Sequence, residues 1–322
     1  MKKIRVGVIG VGYLGKFHAE KYSGMKNTKL VGVVDIDKSR AEDIADSLGT
    51  RALTDYRDLF GNVDAVSVVV PTDAHYAVGA AFLNQNVDVL IEKPMTNSLE
   101  QADELIKIAE SNHRILQIGH LERFNPAVIA LKDIVHTPMF IEAHRLSIFK
   151  DRSTDVSVVL DLMIHDIDII MNVVKSEIKR IHAAGVPVIC EHADIANVRI
   201  EFESGCVANV TASRISIKNQ RKIRFFQKDT YVSVDFAGRE ITIIRRVEDR
   251  AADGLIPGMD IQQLSFSEAD ALEDELTSFI EAVCNRKRPV VSGYAGRKAL
   301  AVALNIMDQI NAAIGRLGDS IP

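Results

Sequence analysis

The chain has 322 residues, 47% of them hydrophobic and 26% charged, with a formal net charge of -5. That length suits two domains, and that balance suits a soluble globular protein with a large buried core. The acidic charge argues against a general nucleic-acid surface, and no apolar run reaches the roughly 18 residues of a membrane span.

The start, Met1-Lys2-Lys3-Ile4-Arg5, enters a short apolar run broken by Gly7, Gly10 and Gly12, too short for a secretory signal. Ile4 to Ile9 reads as a strand, followed by a glycine-rich turn and a helix over Tyr13 to Tyr22. Further strands are expected at Leu30 to Val34, Ala65 to Val70, Val87 to Ile91 and Ile115 to Ile118. Helices over Arg40 to Leu48, Ala74 to Gln85 and Leu99 to Ser111 separate them. Continuously apolar strands alternating with helices indicate a doubly wound parallel sheet of the Rossmann type.

After about Gly119 the pattern changes. One apolar helix is expected over Val158 to Val174, then strands at Ile181 to Gly185, Ala196 to Glu203, Cys206 to Ser216, Lys222 to Gln227, Thr230 to Asp235 and Glu240 to Arg245. Short turns such as Glu203-Ser204-Gly205 and Lys228-Asp229 favour antiparallel hairpins. Helices return over Asp270 to Val283 and Gly296 to Ile314. The expected architecture is α/β: a Rossmann domain over 1–122, then an α+β domain over 123–322 with a large, mainly antiparallel open sheet. Cys190, Cys206 and Cys284 have no metal-ligand spacing and read as buried thiols of a reducing compartment, so a cytoplasmic location and no metal are expected.

Gly10-Val11-Gly12-Tyr13-Leu14-Gly15 directly follows the first strand and opens a helix. Its glycines permit the tight turn, the approach of a pyrophosphate and close helix–strand packing, while the helix N-terminus offers free N–H groups. Asp35 ends the second strand 20 residues beyond Gly15, where a carboxylate accepts hydrogen bonds from ribose hydroxyls and repels a 2′-phosphate. Asp35-Ile36-Asp37 therefore favours NAD over NADP, although Lys38 and Arg40 are near enough to offset some of the charge.

Glu92-Lys93-Pro94 ends the fourth strand, and carboxyl ends of strands face the ligand crevice in such sheets. Pro94 keeps Lys93 extended, so its ammonium can hydrogen-bond a substrate hydroxyl; a solvated strand-end lysine is the other reading. In the helix near residue 165, Asp161, His165, Asp168 and Asn172 fall at i, i+4, i+7 and i+11, a polar stripe on an apolar helix. Aspartate one turn from histidine can orient the imidazole and favour its protonated form. A partly exposed helix face with an incidental histidine is the alternative.

These signals, in this order, resemble the Gfo/Idh/MocA family of oxidoreductases along nearly the whole chain. The matching pieces are Gly10 to Gly15, Pro71-Thr72-Asp73-Ala74-His75, Glu92-Lys93-Pro94, Asp161-Leu162-Met163-Ile164-His165, Glu275 to Val283 and Pro289 to Gly293. The resemblance implies that Lys93 and His165 lie beside the nicotinamide and the reacting hydroxyl, with Pro71, Thr72 and His75 lining the cofactor crevice. It also implies an open sheet used for assembly, hence a homodimer or homotetramer. Many members carry glycine where this chain has Met163, which weakens transfer of a simple sugar or inositol substrate. Gly119 to Pro126, with Arg123 and Asn125, instead resembles a subgroup that includes UDP-N-acetylglucosamine 3-dehydrogenases.

The expected activity is an NAD-dependent dehydrogenase. His165 takes a hydroxyl proton as hydride leaves the same carbon, Asp161 supports the imidazolium, and Lys93 polarises the oxygen. The expected substrate is a nucleotide-linked amino sugar oxidised at its 3-hydroxyl. Arg123, Lys150, Arg152 and Arg214 are candidate cations for its diphosphate, with Arg214, Ser216 and Lys218 sharing one strand face; solvated surface charges are the alternative. A dehydrogenase of a free sugar or inositol and a non-catalytic NAD-sensing regulator are the competing functions.

Overall fold

The computed structural model describes residues 3–149, 156–247, 258–267 and 269–318. They form two compact units, one holding residues up to Phe124 and Asp270–Leu300, the other Asn125–Ala269 and residues from Ala301 onward.

The first unit begins β1 (Ile4–Ile9), α1 (Tyr13–Gly24), β2 (Thr28–Val34), α2 (Lys38–Leu48) and β3 (Arg51–Leu53). It continues β4 (Ala65–Val68), α3 (Thr72–Asn84), β5 (Asp88–Glu92), α4 (Leu99–Ser111) and β6 (Leu116–Gly119). The six strands lie parallel in the order β3-β2-β1-β4-β5-β6. Its β-branched runs are buried, with every residue of β4 inaccessible. Asp37 and Ser98 cap α2 and α4 by accepting backbone N–H bonds from Arg40 and Gln101. The short edge strand β3 escapes a hydropathy reading because it has only three residues.

In the second unit, α5 (Pro126–Ile134) and β7 (Phe140–Leu146) lead to a π-helical turn, Val159–Met163, that runs into α6 (Ile164–Val173). Then come β8 (Ile178–Val186), β9 (Ile195–Phe202), β10 (Val207–Ser213), β11 (Gln220–Gln227), β12 (Thr230–Asp235), β13 (Glu240–Arg246) and β14 (Met259–Ser265). The sheet order is β14-β13-β12-β11-β7-β10-β9-β8. Its described pairs are antiparallel except β7 with β10, which run parallel. The sequence reading left Phe140–Leu146 without a strand. Its inward positions are Ile141, Ala143 and Arg145, and a charged residue at a buried position hides the alternation.

α7 (Ala271–Asn285) and α8 (Gly293–Gly318) close the chain. Leu276, Phe279, Ile280 and Val283 of α7 share a core with Val6, Val8, Ala19 and Tyr22. For that reason 270–300 cluster with the first unit, whereas the expected boundary at 122/123 assigned them to the second domain. The cysteines are all free, but only Cys206 is buried; Cys190 is half-buried and Cys284 exposed, on the outer face of α7. Among the described residues, no helix is long and apolar enough to cross a membrane.

Candidate active site

The turn after β1 has the shape its glycines predict. Gly10 adopts φ +83°, and a Cβ there would meet the Val69 carbonyl oxygen at 2.5 Å. A Cβ on Gly15 would overlap the Gly10 carbonyl oxygen, so this glycine is required for helix–strand packing. A Cβ on Gly12 would meet nothing within 4 Å, leaving its backbone open to a ligand. Asp35 is buried and oriented by the turn: Val11 N–H donates to Oδ2 at 3.0 Å and Asp37 N–H to Oδ1 at 3.0 Å. The Arg40 guanidinium lies 3.3 Å from Oδ1, while Lys38 pairs with Glu42 instead, at 3.5 Å. Tyr13, Leu14 and Ile36 stand exposed around this turn, Ile36 at 95%. An open glycine backbone, a helix N-terminus and a preoriented carboxylate fit a dinucleotide with an unphosphorylated ribose.

Pro71 precedes α3, whose first residue is Thr72. His75 is buried, with Nδ1 at 2.8 Å from the Pro94 carbonyl and Nε2 at 2.9 Å from the Val70 carbonyl. Burial pushes its pKa below the ordinary imidazole value. Expected to line the crevice, this ring clamps the end of β5 to the end of β4. Lys93 follows β5 and precedes Pro94 through a cis peptide bond. Its N–H donates to its neighbour's carboxylate, Glu92 Oε2, at 3.2 Å. Burial opposes ionisation of Glu92, but the His18 imidazole and the Lys93 charge hold its pKa below the usual range.

In the second unit, Asp161 lies in the π-helical turn and His165 near the start of α6, both half-buried. Such turns insert a residue and re-aim side chains, and they recur at functional sites. The stripe expected across regular i, i+4 spacing is therefore interrupted, and Asp168 is buried. Asp166, which the spacing did not single out, takes two bonds from Arg145, Nε to Oδ2 and Nη2 to Oδ1, each 2.9 Å.

Arg214 departs from expectation. β10 ends at Ser213, so Arg214, Ser216 and Lys218 do not share a strand face. Arg214 is buried, donating to the Val156 carbonyl at 2.6 Å with Nε 3.8 Å from Asp194, while Lys218 is exposed. Asn125 Oδ1 caps α5 by accepting the Ala127 N–H at 3.0 Å, and Arg123 sits half-buried in a short 3-10 turn. Lys150 and Arg152 lie outside the described residues. Sequence reasoning missed His18, Arg145 and Asp166. His18 had a signal, being in the second turn of the nucleotide helix on its buried side; Arg145 had none without β7.

The family model described as oxidoreductase family, NAD-binding Rossmann fold, matches residues 4–120, and the GFO/IDH/MocA C-terminal domain matches residues 134–232. The chain is 38% identical over 317 residues to UDP-N-acetylglucosamine 3-dehydrogenase of Acidithiobacillus ferrooxidans, covering 98% of this chain and 100% of that one. A solved structure of that enzyme superposes with a TM-score of 0.90 at 38% identity, over 97% of this chain and 99% of the other. Myo-inositol 2-dehydrogenase of Thermotoga maritima is 28% identical over 318 residues, 92% of this chain and 93% of that one.

Proposed function

Since the chain belongs to the Gfo/Idh/MocA family of NAD-binding oxidoreductases, we propose that it oxidises a UDP-linked N-acetyl amino sugar at the 3-hydroxyl. The observation that carries this reading is full-length likeness at 38% identity to a dehydrogenase of that substrate, against 28% for an inositol enzyme.

Bound NAD supplies the nicotinamide carbon that accepts the hydride. The turn Gly10-Val11-Gly12-Tyr13-Leu14-Gly15 holds its pyrophosphate, and Asp35, with Ile36 beside it, receives the adenosine ribose. Pro71, Thr72 and Glu92 complete that side, with His75 bracing the strand end. Lys93 donates to the substrate oxygen and favours its loss of a proton. His165 accepts that proton, and Asp161 steadies the resulting imidazolium. Each turnover removes one hydride from carbon and one proton from oxygen, leaving a 3-keto sugar. Arg123, Asn125 and Lys150 serve the nucleotide-sugar, while Arg214 acts from behind by holding the Val156 carbonyl. The enzyme works in the cytoplasm, in keeping with free cysteines, as a homodimer or homotetramer joined through the open face of the eight-stranded sheet.

The test is NADH formation with UDP-N-acetylglucosamine beside free N-acetylglucosamine, glucose and myo-inositol. Turnover of the nucleotide sugar alone is expected. Activity on a free polyol with none on any nucleotide sugar overturns the substrate and leaves a dehydrogenase of the inositol kind.

A further inference from the structure

Three strands of the second unit end together beside the turn that carries Asp161, and one buried pair ties them to it. Asp194 directly precedes β9 and Arg214 directly follows β10. The Arg214 N–H donates to the Asp194 carbonyl at 3.0 Å, and the Asp194 N–H donates at 3.0 Å to the carbonyl of Val186, the last residue of β8. The buried Asp194 carboxylate fills a concavity of successive backbone N–H groups, with Val188, Ile189 and Cys190 all donating to Oδ2. Arg214, also buried, sets Nε 3.8 Å from Asp194 Oδ1 and donates from Nη2 to the Val156 carbonyl at 2.6 Å.

Residues 156–158 are thereby gripped on both sides. Arg214 holds the Val156 carbonyl, while the Val158 N–H donates at 3.0 Å to the carbonyl of Ala193, the neighbour of Asp194. Between them lies the buried Ser157, from which the π-helical turn hangs. Its carbonyl accepts the N–H groups of Leu160 and Asp161, each at 3.0 Å, and its Oγ accepts the Val159 N–H at 3.3 Å. A π turn is a rare geometry that occurs singly within α-helices, so its register depends on how its first residues are held. Slipping by one residue would swing Asp161 about 100° around the helix axis. A charged acceptor holds backbone N–H groups more strongly than a neutral one, and a buried guanidinium needs an anion near it. Both members of the pair are therefore required for the grip.

We propose that Asp194 and Arg214 are positioning residues for the oxidation: together they fix Val156 and Val158, and through Ser157 they set the register of the turn that presents Asp161. The inference rests on the role given to Asp161 above. It makes Arg214 a brace of the backbone and not a ligand of the diphosphate.

The test pairs steady-state kinetics per folded molecule with amide hydrogen exchange read by mass spectrometry. Arg214→Met keeps the stem but removes the donors. Its 157–163 peptide should exchange about tenfold faster than in wild type, while the 167–173 peptide of the same helix keeps its rate. Its kcat should fall by about 10- to 10²-fold, with KM for UDP-N-acetylglucosamine within about twofold of wild type. Arg214→Lys, which keeps a charged donor for the Val156 carbonyl, should recover most of the kcat and of the protection. Unmoved exchange over 157–163 in Arg214→Met overturns the proposal whatever kcat does. A raised KM with unchanged kcat is what a diphosphate ligand gives and overturns it as well. Should Arg214→Met fail to fold, judged by melting, Asp194→Asn keeps the shape, loses the charge and should show the same faster exchange and the same fall in kcat; unmoved exchange there overturns the proposal equally. Faster exchange with full kcat keeps the clamp and overturns instead the role of Asp161 beneath it.

Discussion

Arg145 and Asp166 meet as a two-pronged ion pair, both bonds 2.9 Å, with side chains only 4% and 2% exposed. Asp166 is the residue after His165, so the pair ties the start of α6 to β7, and Arg145 also lies 5.7 Å from the ring centroid of Phe236. Removing one partner of such a pair leaves a buried charge uncompensated. Asp166→Ala should lose about 3–5 kcal/mol of stability in urea unfolding. A loss below about 1 kcal/mol would mean that water reaches Arg145.

The two glycines of the nucleotide turn should separate folding from binding. Gly15→Ala drives a methyl group into the Gly10 carbonyl and should destabilise the first unit by roughly 1–3 kcal/mol or more. Gly12→Ala meets open space, so its melting temperature should stay at the wild-type value while NAD affinity falls by about tenfold as the pyrophosphate is held off. Calorimetry of both variants checks the contrast; unimpaired NAD binding in Gly12→Ala would mean the phosphates do not approach there.

Asp35 should govern the choice between NAD and NADP. Wild type should prefer NAD in calorimetric titration. Asp35→Ala removes the ribose acceptor and frees Arg40, now 3.3 Å from the carboxylate, to meet a 2′-phosphate. The affinity ratio should swing toward NADP by about tenfold or more. An unchanged ratio would remove Asp35 from the cofactor site.

Lys93→Met and His165→Ala should each lower kcat by at least about 10²-fold while NAD still binds. Asp161→Asn should be milder and shift the pH profile, since that carboxylate acts through the imidazole. Near-native turnover in His165→Ala would remove it as the proton acceptor.

Asp194 is a stabiliser at neutral pH that acid removes. Burial opposes its ionisation, but Oδ2 accepts the N–H groups of Val188, Ile189 and Cys190 at 2.8, 2.6 and 3.0 Å, and its pKa falls to about 2. A group whose pKa is lower folded than unfolded stabilises above the ordinary carboxylate range and loses that contribution as pH falls toward 2. Asp194→Asn should therefore be less stable than wild type at pH 7, and the two should converge near pH 2. Chemical unfolding across that range is the measurement.

Much of the first unit was legible because its signals are local. Apolar β-branched runs announce buried parallel strands, and Gly10, Gly12, Gly15 and Asp35 carry their chemistry at fixed spacing. The second unit hid more. β7 has Glu142, His144 and Arg145 within seven residues, and only the buried ion pair with Asp166 of α6 explains why Arg145 points inward. Regular helical spacing could not anticipate the π-helical turn at Asp161, since backbone hydrogen bonding, not composition, defines it. Arg214 read as a candidate cation for the substrate's diphosphate because nothing near it in sequence reveals Asp194 as its neighbour. His18 and Glu92 are far apart in the chain, and their approach to 3.3 Å exists only in the folded first unit.

The lone parallel pairing in the eight-stranded sheet, among the described strands, also dictates an order of events. Hairpins such as β8 with β9 or β11 with β12 can zip from adjacent segments, but β7 must wait for β10 to arrive after the whole of 147–206 has been laid out. Closing a loop of that length demands entropy before any contact repays it. That loop contains Asp161 and His165. During refolding, hairpin content should consequently return before the α6 residues gain protection from hydrogen exchange.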